Sequence, residues 1–595
     1  LPQANSFIVL LIKHTKMKRN LTLVALLCLS FISVCHGQGL PLPDHKGYSI
    51  QDSMLIKTSY GATLSAVVVR KKGAPERLPT AMMFFIYANL ERSLVEARSA
   101  ADHGYVGIVV DVRGKRLSPD VVAPYENEVK DVNAVIEWIV QQPWSDGRVG
   151  MYGGSYSGFS QWAALKNPHP ALKTIVPYVA AIPGQGLPME NGIFLNANYQ
   201  WPFYVTNNKY VDQAINNDNK RFRSMQYRWY ETGAAYHKID SIDGTPNPWL
   251  QKWLLHPSYD SYWQAMVPFG KEFAKIKIPI LTITGYYDDG QISALRYLTE
   301  HYKYLPSANH YLVIGPYDHF GAQLGGTPVV HGYSVDKGAL INTRELTFAW
   351  LDYVLKGGKK PDLVADKINY QVMGADTWRH VPTIEKMADT VLTLYLGNQG
   401  KGRNYSLQSL KPKKPAYVSQ LVDLDDRNSS QNEYYPSPII KNELDTTSGL
   451  FFLSQPFDKP IAVNGFLTAV LKASINKKDM DVGMTFYEVT PTGEYFQLSY
   501  VLQRASYAWD MTARRLLVPH EVTQIPLQRS RLVSKRFAKG SRLLVVLNID
   551  KNSFAQVNYG TGKDVSVETI ADAGEPLHVK WFTDSFVRIP VSFER

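Results

Sequence analysis

The chain has 595 residues, 45% of them hydrophobic, 20% charged and 12% aromatic. It is too long for one core and too apolar for a disordered or fibrous protein, so two or three folded domains are expected. Its net charge of +11 includes Lys13, Lys16, Lys18 and Arg19, and without these four the remaining 60 basic residues face 53 acidic ones. The densest basic stretches, 356–360 and 411–414, hold Gly or Pro and no interleaved aromatic residue, which argues against nucleic acid as a partner.

In chain order, the first feature is an export pattern: Met17, then Lys18-Arg19, an apolar run from Leu21 to Val34, and Cys35-His36-Gly37-Gln38. Cleavage is expected between Gly37 and Gln38, giving a secreted or periplasmic protein. Residues 1–37 are therefore read as upstream residues plus signal peptide and kept out of the fold. The apolar run is too short to span a bilayer, so no membrane span is expected in the mature chain. Both cysteines, Cys28 and Cys35, lie in the segment expected to be removed, which excludes disulfides, cysteine nucleophiles and thiolate metal sites. The 14 histidines are scattered without a His-Glu-x-x-His helix, and Asp423, Asp425 and Asp426 lack the turn glycine of a calcium loop. No metal or cofactor is implied.

From residue 62 to about 155, apolar runs alternate with helical patterns: 64–69, 80–87, 106–112, a helix over 126–141, then 149–153. This is the rhythm of a mostly parallel sheet. It returns at 278–284 and 311–314, followed by a helix over 342–355. Between them, 184–270 is rich in aromatic residues among polar ones and reads as a helical cap whose aromatics mostly form its own core. After residue 361 the pattern alternates at 416–422, 465–473, 484–489, 495–502, 541–549 and 586–593, as expected for an all-β jelly roll. The reading is an α/β-hydrolase fold with a mostly parallel, doubly wound sheet, in two parts (38–183 and 271–360). A helical cap (184–270) interrupts it, and a β jelly-roll domain (361–595) follows.

Gly153-Gly154-Ser155-Tyr156-Ser157-Gly158 follows a strand and opens a helix, the context of a nucleophile elbow, with Ser157 where the commonest pattern has Gly. Asp288 and His319 each come just after a later strand, and the order Ser, Asp, His is that of α/β-hydrolases. Together they read as a catalytic triad.

These residues, with Asp111-Val112-Arg113-Gly114, Gln142-Pro143-Trp144-Ser145-Asp146-Gly147, His256-Pro257-Ser258-Tyr259-Asp260 and Val372-Met373-Gly374, resemble the cocaine esterase and X-Pro dipeptidyl-peptidase-like serine hydrolases, a family that includes α-amino acid ester hydrolases and glutaryl-cephalosporin acylases. The resemblance runs from about residue 47 to the C-terminus. It implies that Ser155 attacks the acyl carbon, His319 carries the proton and Asp288 orients the imidazole. It also implies an oxyanion hole shared by the Tyr87 hydroxyl and the backbone N–H of Tyr156. The sequence departs from the family before Tyr87, where Phe84-Phe85-Ile86 stands, and after Asp288, where Asp289-Gly290-Gln291 stands. Asp289 is open to two readings, a partner for a substrate ammonium or, as is commoner for a lone exposed carboxylate, a solvated group, and no carboxylate pair for a substrate amine is evident.

The functional expectation is an exported serine hydrolase that cleaves an ester or amide of a small-molecule or peptide acyl substrate. The alternatives are an Xaa-Pro dipeptidyl-peptidase and a non-catalytic glycan- or polymer-binding protein. With burial and Asp288 cancelling, the histidine should titrate near its ordinary value of about 6.5. The oligomeric state is left open by the sequence.

Overall fold

The computed structural model describes residues 45–432 and 434–593. The export pattern and both cysteines lie outside the described residues. Ten strands form the first sheet: β1 (Tyr48–Lys57), β2 (Thr63–Lys71), β3 (Leu78–Phe85), β4 (Val106–Asp111), β5 (Ser145–Gly154), β6 (Leu172–Tyr178), β7 (Ile280–Tyr287), β8 (His310–Asp318), β9 (Ile368–Val372) and β10 (Thr377–Val381). Their spatial order is β1-β2-β4-β3-β5-β6-β7-β8-β9-β10, parallel from β4 through β9 and antiparallel at both margins.

Every residue of β4 and β7 is buried, because helices cover both faces of the sheet and leave neither for water. The side-chain period of two divides β4 between two cores. Ile108 and Val110 belong on one face to the same core as Val132, Ile136 and Phe159. Val109 belongs on the other to the core that includes Leu94 and Ala97 of the helix packed against β4. The helix Leu90–Asp102 starts where Asn89 Oδ1 accepts the Arg92 N–H at 2.9 Å, a side-chain cap that supplies one of the partners a helix start lacks.

The cap enters between β6 and β7 with short helices at Trp201–Thr206, Asn219–Thr232 and Pro248–Leu254. Trp229, Trp253 and Trp263 are buried and continuous with the core of the sheet below, whereas Trp201 and Tyr204 are only partly buried.

Among the described residues, the C-terminal domain is a 14-stranded, largely antiparallel sheet whose one parallel strand pair joins 404–406 to 451–453. The run 465–473, read as one strand, divides at Leu467 between Ile461–Phe466 and Thr468–Ile475. The hydrolase sheet also runs past residue 360, because β9 pairs with β8 and β10 closes that edge. One short helical turn, Ile384–Met387, separates β10 from the next strand, Thr390–Lys401, too brief a break to mark the passage in the sequence pattern. The two domains join along the strand Leu532–Phe537: Met373 N–H donates to Ser534 O at 3.1 Å, and Arg536 N–H to Met373 O at 2.9 Å.

Candidate active site

Ser155 sits between β5 and the helix Tyr156–Ala164 with φ 59° and ψ −118°, a left-handed backbone that a non-glycine residue adopts only when its surroundings enforce it. Its N–H donates to Tyr178 O at 3.0 Å, and its carbonyl accepts from Gly158 and Phe159 N–H, each at 3.0 Å. The flanking glycines are demanded by space. A Cβ on Gly153, whose φ is 130°, would stand 2.8 Å from Ser157 Cβ, and one on Gly158 would stand 2.8 Å from Ala180 Cα. Serine fits at position 157, where the commoner motif has glycine, and is buried there.

The acid lies where β7 ends. Asp288 is fully enclosed, and its Oδ2 accepts from Thr284 Oγ1 at 2.7 Å while its Oδ1 accepts from Gly290 N–H at 3.0 Å. His319 follows the end of β8, the neighbouring parallel strand, and its Nδ1 lies 2.9 Å from Asp288 Oδ1. Two sequence-distant residues thus meet because their strands are adjacent and end at the same edge. The buried Asp288 carboxyl is raised from its ordinary value by desolvation, with the His319 and Thr284 hydrogen bonds acting the other way.

Asp289, read as solvated, turns out to face the same ring: its Oδ1 is 3.3 Å from His319 Nδ1, although the side chain is 52% exposed. Desolvation works against its charge, but the hydrogen bond and charge of His319 prevail and hold Asp289 below the usual carboxylate range. The same balance governs the ring. Burial opposes the imidazolium, and the two carboxylates overcome it, so His319 is raised well above its ordinary value. The expectation of a value near 6.5 counted one carboxylate where the turn supplies two.

Tyr87 lies just past the end of β3, half-buried, with its ring stacked at 6.5 Å from Tyr204. The Trp201 indole N–H donates to the Tyr87 hydroxyl oxygen at 3.0 Å. Because the phenol oxygen accepts there, its own hydrogen is left to donate elsewhere, as an oxyanion donor must. Trp201 and Tyr204 are therefore cap aromatics in direct contact with Tyr87. The Tyr156 N–H is at the first position of its helix, where no intrahelical acceptor exists. The Tyr156 ring points away and is pinned: its hydroxyl donates to buried Glu128 and accepts from Tyr125 N–H at 3.0 Å. Burial pushes the Glu128 carboxyl up to about 7.

Sequence reasoning did not point to Glu128 or Arg531, and it gave no role to Trp201 among the cap aromatics or to Gln291 after Asp288; each makes a contact that fixes a site residue or its turn. Gln291 Nε2 donates to Gly285 O at 2.8 Å and to Leu532 O at 3.1 Å, while its Oε1 accepts from Leu532 N–H at 2.7 Å. Arg531 Nη2 donates to Asp289 O at 3.1 Å. A cleft beside the acid is lined by Asp289, Tyr435, Pro436, Tyr500 and Arg531, so both domains form its walls.

Among the described residues, the histidine and carboxylate atoms close enough to share a cation are those of Asp288, Asp289 and His319 themselves. In the Asp423–Asp426 loop an ammonium already serves as the cation: Lys551 Nζ donates to Asp423 O at 3.0 Å and Asp426 O at 2.6 Å. Among the described residues, no helix is long and apolar enough to cross a membrane.

The X-Pro dipeptidyl-peptidase (S15 family) profile matches residues 54–321, and that of the X-Pro dipeptidyl-peptidase C-terminal non-catalytic domain matches 365–570. Cocaine esterase of Rhodococcus sp. (strain MB1 Bresler) is 24% identical over 504 residues, which are 79% of this chain and 84% of that protein. In fold, the chain is similar to an aminopeptidase from a marine sediment Thaumarchaeota archaeon (TM-score 0.76, 20% identity, 93% of this chain and 98% of that one). It is similarly close to an α-amino acid ester hydrolase (TM-score 0.74, 19% identity, 93% of this chain and 99% of that one).

Proposed function

The chain belongs to the cocaine esterase and X-Pro dipeptidyl-peptidase-like (CocE/NonD) family, serine hydrolases of the esterase and acylase type, and from this premise we propose that Ser155, His319 and Asp288 are its triad and that esters are its preferred substrates. The observation that carries the reading is the His319–Asp288 bond at the ends of adjacent strands, on the same sheet whose β5 leads into the strained Ser155 turn. Ser155 Oγ attacks the acyl carbon as His319 takes its proton. The oxyanion that forms accepts from the Tyr87 hydroxyl and the Tyr156 N–H. His319 then returns the proton to the departing oxygen, and water, activated by the same base, frees the acyl group. Asp288, shielded and bonded on both oxygens, keeps the ring in the orientation both transfers need.

Ester preference over Xaa-Pro dipeptide release is supported by the setting of Asp289. A dipeptidase must hold a free α-amine, and the carboxylate nearest the triad is instead engaged with His319. Partly exposed aromatics at Trp201 and Tyr204 suit a small organic acyl group beside Tyr87. The segment from Met17 to Gly37 supports export to the periplasm or beyond. The test is turnover of 4-nitrophenyl acetate beside a Gly-Pro anilide, with Ser155→Ala as control. Ester cleavage lost in the variant, with the anilide untouched, is expected. Strong anilide cleavage would reverse the assignment of substrate class.

A further inference from the structure

The turn after β7 presents two carboxylates to one ring nitrogen, Asp288 Oδ1 at 2.9 Å and Asp289 Oδ1 at 3.3 Å from His319 Nδ1. One N–H can serve two acceptors in a three-centre bond. The two acceptors differ in setting: Asp288 is enclosed, while the Asp289 side chain is 52% exposed. Asp289 is nevertheless held in place at both ends. Its Oδ1 accepts the Gly290 N–H at 2.9 Å, and its backbone carbonyl accepts from Arg531 Nη2 at 3.1 Å. Arg531 is itself fixed by two bonds to Glu190, at 2.9 and 2.6 Å, and lies 3.8 Å above the Tyr500 ring. Gln291 ties the same turn to both the N–H and the carbonyl of Leu532.

We propose that Asp289 is a positioning residue that shares the His319 Nδ1 proton with Asp288 and sets the acid limit of the enzyme's working range, while the C-terminal domain holds it there through Arg531. The inference rests on His319 being the catalytic base. Other charged and titratable groups face this cluster and stay unchanged when Asp289 is altered. Asp318, next to His319, accepts the Gly321 N–H at 2.6 Å and lies 4.0 Å from His331 Nε2. Tyr435 approaches from the C-terminal domain and senses the Asp288, Asp289 and Asp318 charges. The Arg531 charge is balanced by Glu190. Removing the Asp289 charge therefore removes one of the two anions that stabilise the imidazolium, and the ring loses its proton at lower pH.

The experiment is the pH profile of kcat/KM for 4-nitrophenyl acetate from about pH 5 to about pH 9 in wild type and Asp289→Asn, since this parameter reports the free enzyme's base. Asparagine keeps an oxygen for Gly290 N–H and loses only the charge. The acid-limb midpoint should fall by about one pH unit in the variant, with the plateau within about threefold of wild type, because the group removed is partly solvated and Asp288 still orients the ring. An unmoved midpoint, or a plateau that collapses around an unmoved midpoint, overturns the proposal. Salt provides a second test in the unaltered enzyme. An exposed carboxylate is screened, so raising ionic strength should move the wild-type midpoint toward acid more than that of the variant, and a salt-independent wild-type midpoint also overturns it. His319→Ala separates the premise from the inference: retained turnover there would remove His319 as base, whatever Asp289 does.

Discussion

The nucleophile turn and the acid turn solve the same problem, holding one side chain in a fixed place, by different means. Around Ser155 the constraints come from the same domain and largely from nearby chain: Gly153 against Ser157, Gly158 against Ala180, and the Ser155 N–H on Tyr178 O. Around Asp288 they come from both domains, since Gln291 and the Asp289 carbonyl are gripped by Leu532 and Arg531, more than 240 residues further on. A turn built from small residues has a sequence signature, and a turn built from distant partners has none. The domain whose family profile is described as non-catalytic thus contributes here by holding the turn that carries Asp288 and Asp289.

Four substitutions separate the two kinds of support. Ser155→Ala should lower ester turnover by about 10⁴- to 10⁶-fold, with thermal unfolding unchanged, because it removes the reacting atom and leaves the turn intact. Glu190→Ala acts on the other region. It leaves Arg531 buried and uncompensated, 3% exposed at its side chain, and should cost about 3–5 kcal/mol in denaturant unfolding. A loss much smaller than this would mean that the Arg531 grip is dispensable. Tyr87→Phe should slow turnover by about 10²- to 10³-fold with stability retained; near-normal turnover would take Tyr87 out of the oxyanion hole. Gly158→Ala returns to the elbow and should destabilise by about 1–3 kcal/mol, since the new methyl group would meet Ala180 Cα at 2.8 Å and Tyr178 O at 2.9 Å. Unchanged stability there would show that the elbow yields more readily than its packing implies.

Legibility in the sequence followed the same divide. The alternation of apolar runs and helical patterns revealed strands β2 to β5, β7 and β8, because a sheet covered on both faces needs continuous apolar runs such as 106–110, but it missed β6 at Leu172–Tyr178. Ser155, Asp288 and His319 could be proposed as a triad because each follows a strand. Whether Asp289 would face solvent or the ring was not legible, because it depends on how the turn is clamped by residues from another domain. The same holds for Trp201 on Tyr87 and Glu128 under Tyr156, pairs 114 and 28 residues apart that no local pattern links. The passage from one sheet to the next near β10 was hidden for a different reason, because a helical turn of four residues, Ile384–Met387, is all the regular structure between one strand and the next.

The most direct test of the central claim is covalent labelling by a fluorophosphonate, followed by peptide mapping of the adduct, in wild type and in Ser155→Ala. The account predicts stoichiometric adduct on the peptide that carries Ser155, formed faster as pH rises through the titration of His319, and none in the variant. An adduct on another residue, or a wild-type protein that is folded and remains unlabelled, would contradict it.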